Sequence, residues 1–106
     1  MDTRHKIIPA SAVPPGCTIV TGYFDPLLAG DARALANLPR PIAAVVLPLD
    51  NALLPQRARA ELVAALRIID YVVIADGWNQ PDIHLEADQT RRVRELKEHV
   101  RRRQAH

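Results

Sequence analysis

Between Thr21 and Asp31 the chain reads Thr-Gly-Tyr-Phe-Asp-Pro-Leu-Leu-Ala-Gly-Asp, and two carboxylates, Asp25 and Asp31, flank its proline. Carboxylate oxygens take Mg²⁺ readily, so a cation site is one chemistry this pair could support. An aspartate beside a helix start more often accepts from free backbone N–H groups or offsets the helix dipole, and that reading is preferred here. Tyr23 could stack on a base, or it packs half-buried as strand tyrosines usually do. His84 and His99 lie far apart with no spaced partner, and His5 and His106 sit near the ends, so nothing points to zinc. Cys17 has no nearby histidine or basic cluster to lower its pKa and reads as a small buried residue rather than a nucleophile. Seven of the 14 basic residues fall between Arg91 and Arg103, a density that could meet nucleic acid. Glu95 and Glu98 are interleaved with them, and Glu98 and Arg102 form a favourable i,i+4 pair, so a solvated helix face is the preferred reading.

The elements that must position these groups alternate regularly. Residues 1–16 carry Pro9, Pro14, Pro15 and Gly16 without periodicity and read as an N-terminal arm, with at most a short docked segment at Lys6-Ile7-Ile8. Residues 17–106 read as one domain. Cys17–Phe24 is short, apolar and β-rich, which predicts a buried strand. Asp25-Pro26 then predicts a helix start, with Leu27, Leu28, Ala32, Leu35 and Leu38 at helical spacing and Pro39 and Pro41 beyond. Ile42–Leu47 is an unbroken apolar run, as in a strand covered on both faces. A second helix over 55–69 should bury Ala58, Leu62, Ala65, Leu66 and Ile69, with Arg57, Glu61 and Arg67 outside. A third strand spans 71–76, and a last helix spans about 88–104 with a narrow stripe at Val93, Leu96 and Val100. Trp78 follows the third strand and either packs over the sheet's edge or stays exposed.

This alternation predicts an α/β fold with a parallel sheet, strands 17–24, 42–47 and 71–76 in the order 3-2-1, and helices over 26–38, 55–69 and 88–104. With 106 residues and 48% apolar content there is room for one core, and 4% aromatics make that core aliphatic. No apolar run approaches the ~20 residues of a membrane span. The N-terminus lacks a signal-peptide core, and a single cysteine favours a reducing compartment, so a cytoplasmic location is expected.

Two segments carry a resemblance. Gly22, Phe24, Asp25 and Gly30 fall in register with the G-x-F-D-x-x-H-x-G-H loop of cytidylyltransferase-like nucleotidylyltransferases. Arg57-Ala58-Arg59-Ala60-Glu61-Leu62-Val63-Ala64-Ala65-Leu66-Arg67, running into Ile69-Asp70-Tyr71-Val72-Val73, looks like the R-A-x-x-L-A-A-L-R helix and V-D-Y-V-V strand of the sugar-phosphate adenylyl- and cytidylyltransferases, including the heptose type. The resemblance implies a Rossmann-like, three-layer α/β/α domain that joins a nucleoside triphosphate to a phosphorylated sugar or polyol and releases pyrophosphate. It implies a triphosphate above the first strand's end, with Gly22 and Gly30 allowing close approach and Tyr23, Phe24, Asp25 and Arg59 nearby. The alternative reading of Arg59 is a structural one, reaching toward Asp50 or a terminus.

The departures matter as much. Leu28 and Asp31 stand where the family has its two histidines, the loop Asp50-Asn51-Ala52 lacks the usual basic residue, and the C-terminal I-S-S-T-type motif has no counterpart. A carboxylate 4 Å from a phosphate charge is repelled by ~4 kcal/mol at an effective dielectric near 20, nearly a thousandfold in rate. The expectation is therefore a degenerate domain without catalytic residues or cofactor, binding a nucleotide or sugar phosphate or acting as an interaction module. The alternatives are an active enzyme, which alone would require Mg²⁺, and a nucleic-acid-binding protein acting through the basic C-terminal helix. In the order 3-2-1 the first strand is an apolar edge, which predicts cover by the last helix or by a second copy in a homodimer.

Overall fold

The computed structural model describes residues 3–104. Four strands, β1 (Thr18–Gly22), β2 (Ile42–Val46), β3 (Tyr71–Ile74) and β4 (Ile83–His84), form one parallel sheet in the order β3-β2-β1-β4. Three helices accompany it: α1 (Ala29–Ala36), α2 (Gln56–Ala64) and α3 (Glu86–Gln104). The expected α/β class and the parallel order of the first three strands are present.

β2 is the centre of the sheet and all five of its residues are buried, as its unbroken apolar run requires. Side chains alternate across the strand. Ile42, Ala44 and Val46 therefore join Val20 and Val72 on one face, against Leu35 of α1 and Ala60, Val63 and Ala64 of α2. Ala43 and Val45 join Ile19 and Val73 on the other. That second face is covered by Ile8, Val13, Cys17 and Trp78, and no described α3 residue is among the side chains packed there. An irregular layer thus stands where a three-layer sandwich would have a helix. The docked segment near Ile7 is real: Ile7 bridges Val72, Ile8 N–H donates to the Val72 carbonyl at 2.9 Å, and Lys6 Nζ donates to the Leu66 carbonyl at 3.0 Å.

Four expectations need correction. First, β1 is not an edge, because Ile83 and His84 pair with Val20 and Thr21. The return is short for a physical reason. β4 meets only the carboxyl half of β1, and three strand spacings of ~4.8 Å are within easy reach of residues 75–82 at ~3.3 Å each. Trp78 covers the face they cross, and no crossover helix is needed. Asp82 seals the lower part, its Oδ2 accepting from Ile19 N–H at 2.7 Å. The exposed edge that called for a second copy is therefore filled from within the chain.

Second, α1 starts at Ala29 with Leu28 as its N-cap, not at Pro26, because Asp25 is committed elsewhere and Asp31 supplies the carboxylate that accepts from Leu28 N–H at 3.0 Å. Third, α2 is rotated from the expected face. Arg59, Ala60, Val63 and Ala64 are buried, whereas Leu62 is 45% exposed. The helix turns to bring the Arg59 guanidinium to carbonyl groups inside the fold. Fourth, α3 begins at Glu86, and from Thr90 onward every described side chain is exposed. Of the expected stripe, Val93 and Val100 lie outside the described side chains; Leu96 is exposed.

Where β2 and β3 begin, Asp70 accepts from Arg40 Nη2 at 2.7 Å and from Ile42 N–H at 2.8 Å. The hydrogen bond from Arg40 holds the Asp70 carboxyl below the usual carboxylate range, against partial burial, which opposes it. A depressed folded-state pKa stabilises the fold above the unfolded value near ~3.9 and loses that contribution as pH falls through the lower folded value. Asp70→Asn should therefore lower the melting temperature at pH 7, and the gap to wild type should close below about pH 4, as read by circular dichroism melts across pH.

Candidate functional site

The turn after β1 carries Tyr23, Phe24 and Asp25 into the interior with neither strand nor helix to satisfy its backbone. Phe24 has φ of +51°, a left-handed conformation that a bulky residue rarely adopts. Its ring is fully buried in the main core. Two side chains from later in the chain, together with Asp25 of the turn itself, hold this turn.

Arg59, 2% exposed, donates from Nη1 to the Tyr23 and Leu47 carbonyls at 2.8 Å each and from Nε to the Leu54 carbonyl at 3.1 Å. Asp25, 7% exposed, accepts from Leu53 N–H at 2.6 Å and from Leu54 N–H at 2.8 Å, one on each oxygen. Gln89, on the first turns of α3, accepts through Oε1 from Tyr23 N–H at 2.5 Å and Phe24 N–H at 3.2 Å. A methyl group on Gly22 would lie 2.7 Å from that same oxygen and from the Phe24 ring, so glycine is required there by close approach.

Above the turn lies a cavity of about 370 Å³. Tyr23 and Asp25 line it from the end of β1, and Asp50 and Asn51 from the loop after β2. Gln89, Thr90, Arg94 and Lys97 line it from α3. Thr90, Arg94 and Lys97 are spaced four and three residues apart, which puts them on one helix face. The cavity thus stands outside the carboxyl ends of the strands, where β2 and β4 leave β1 in opposite directions. Open α/β sheets bind ligands at that crossing point.

The sequence-predicted residues divide. Tyr23 and Asp25 reach the cavity; Gly22 and Phe24 lie beneath it; Gly30 is not in its wall. Arg59 serves the loops rather than facing this cavity, and it borders a second, more open depression of about 500 Å³ beside Pro48 and Pro55. Its partners are carbonyl groups, not Asp50 or a terminus. Asp31 is 1% exposed and its carboxylate turns back onto the start of α1, so the expected repulsion of a phosphate by this residue has no basis in the geometry. Asp25 and Asp31 each serve backbone amides of different loops, which is not the arrangement of a shared cation site.

Sequence reasoning missed Gln89, Arg94 and Lys97 as cavity residues. The 90-94-97 spacing was the available signal, but it was absorbed into a basic helix read as solvated. No spacing announces Gln89, whose role depends on where α3 docks. Three buried polar atoms lack a hydrogen-bond partner among the described residues: Thr21 Oγ1, Glu86 Oε1 and Gln89 Nε2, all from the end of β1 or the first turn of α3.

No family model matches the chain, and no curated protein or solved structure matches it either.

Arg59→Met should expose the dependence of the turn on its guanidinium. Each buried carbonyl left without a donor costs about 1–3 kcal/mol, so the loss should be about 3 kcal/mol or more. Arg59→Lys should recover only part of it, because one ammonium cannot match the fork that reaches three carbonyls. Chemical denaturation of both variants measures this.

Proposed function

We propose that this chain is a nucleotidylyltransferase-like domain, cytidylyltransferase-like in its first loop, that has lost catalysis and binds a phosphorylated small molecule, a nucleotide or a sugar phosphate. The observation that carries the reading is the cavity at the carboxyl ends of β1 and β2, lined by Arg94 and Lys97 of α3 and by Tyr23. Two cations suit a phosphate group of charge about −1.5 to −2. Tyr23 offers a ring face, and Asp50 and Asn51 offer groups for hydroxyls. The cavity shares Tyr23 and Asp25 with the position that the resemblance implies for a phosphorylated ligand, but Gly30 and Arg59 lie outside its wall, and its cations come from α3 in place of the missing basic residue after β2.

Loss of catalysis is supported by the residues at the two histidine places. Leu28 has no donor side chain, and the Asp31 carboxylate is spent on its own helix. Catalysis of nucleotidyl transfer needs donors placed where charge develops on the α-phosphate. A cytoplasmic location is part of the proposal and rests on the single cysteine, Cys17, which has no partner for an internal disulfide. A homodimer remains part of the proposal only through the exposed α3 side. No helix among the described residues is long and apolar enough to cross a membrane.

Thermal-shift and calorimetric titration against nucleoside mono- and triphosphates and a panel of sugar and polyol phosphates should find a binder. Arg94→Glu and Lys97→Glu should each weaken that binder roughly tenfold, about 1.4 kcal/mol. Incubation with nucleoside triphosphate, Mg²⁺ and the same phosphates should release no pyrophosphate. Pyrophosphate release would instead establish the active-enzyme alternative, and salt-sensitive retention on DNA or RNA would favour the nucleic-acid alternative.

A further inference from the structure

The geometry points to Gln89 as the residue that determines which anions this cavity can take: its side-chain carbonyl occupies the two loop amides a polyphosphate would need, and leaves the site to a single anionic group held by Arg94 and Lys97. This deepens the proposed ligand-binding reading and rests on it.

Tyr23 N–H and Phe24 N–H are adjacent donors on a turn whose backbone is left-handed at Phe24. Consecutive amides on such a turn can converge on an anion. Here they converge on Gln89 Oε1, at 2.5 and 3.2 Å. A neutral amide oxygen therefore stands where a phosphate oxygen would be accepted. The fit is built in from both sides. Gly22 supplies the space, since a Cβ there would come within 2.7 Å of Oε1. Leu85, 5% exposed, anchors the start of α3 in the main core, its N–H donating to the Thr21 carbonyl at 2.9 Å.

With Oε1 bound to two donors, the orientation of the Gln89 amide is decided, because the opposite flip would set an NH₂ against two N–H groups. Nε2 is then the free donor. It is buried without a partner among the described residues, on a side chain only 3% exposed that lines the cavity. Buried donors of this kind are rare and call for an acceptor such as a ligand oxygen or a water. Gln89 thus blocks one anion position, while its Nε2 keeps an unused donor on the same side chain. The cations lie further along α3, five and eight residues from Gln89, within the same cavity wall.

The test is a titration of ¹⁵N-labelled full-length protein with inorganic pyrophosphate, tripolyphosphate and orthophosphate, followed at the Tyr23 and Phe24 amide resonances. In wild type those two amides should stay in place while resonances of Arg94 and Lys97 move. In Gln89→Ala they should move with pyrophosphate, and its affinity should rise at least tenfold. Gln89→Glu keeps an acceptor for both amides and should not gain this affinity. Movement of Tyr23 and Phe24 in wild type, or no gain in a folded alanine variant, overturns the inference; if that variant does not fold, the wild-type titration decides alone. Failure of every phosphorylated compound to bind wild type would instead overturn the ligand-binding reading, and the pyrophosphate result on Gln89→Ala would still decide the role of this residue.

Discussion

A turn that enters the interior must satisfy its backbone without the help of a ladder, and at Tyr23 and Phe24 side chains meet three of its backbone groups. Arg59 takes the Tyr23 carbonyl, Gln89 takes the Tyr23 and Phe24 N–H groups, and Asp25 itself reaches across to two amides of the loop after β2. Each such group left unpaired in the interior would cost about 1–3 kcal/mol, comparable with a sizeable part of a small domain's net stability. The turn, the β2–α2 loop and the first turn of α3 are therefore one mechanical unit. Gln56 extends it to the neighbouring strand ends, donating to the Val46 and Ala75 carbonyls at 2.9 and 3.3 Å.

That unit shapes the cavity above it. Its floor is fixed by a network in which charged groups serve the backbone: Arg59 looks inward, Asp31 caps α1, and Asp25 ties two loops together. The groups free to meet a ligand are carried instead by α3. Beyond Gln89 and Leu85 this helix has little grip on the sheet, since from Thr90 onward its described side chains are exposed. The ligand-facing cations are thus mounted on the least buried element of the fold, and their position relative to the turn depends on one glutamine.

Much of the architecture was legible in the sequence because it rests on local signals. The apolar run 42–47, the strand at 71–74 and the alternation with helices required no knowledge of distant contacts. The errors share a different cause. Pro26 follows a good capping residue, but Asp25 finds better partners at Leu53 and Leu54, and no local rule reveals that. The apolar stripe of α2 lies on a different face from the one its spacing predicts because Arg59 turns inward to three carbonyls, and no local pattern shows that. The first strand, an edge in the expected order 3-2-1, is covered by β4, whose two residues meet only its carboxyl half. In the cavity, Tyr23 and Asp25 were readable from the loop, while Gln89 acquires its meaning only from the docking of a helix that starts beyond β4.

Amide hydrogen exchange on the ligand-free protein tests this account most directly. If side chains satisfy the turn, the Tyr23, Phe24, Leu53 and Leu54 amides should exchange as slowly as those of β2, despite lying in loops, and Gln89→Ala should release Tyr23 and Phe24 alone. Exchange of all four at the rate of exposed loop amides in the wild-type protein would contradict it.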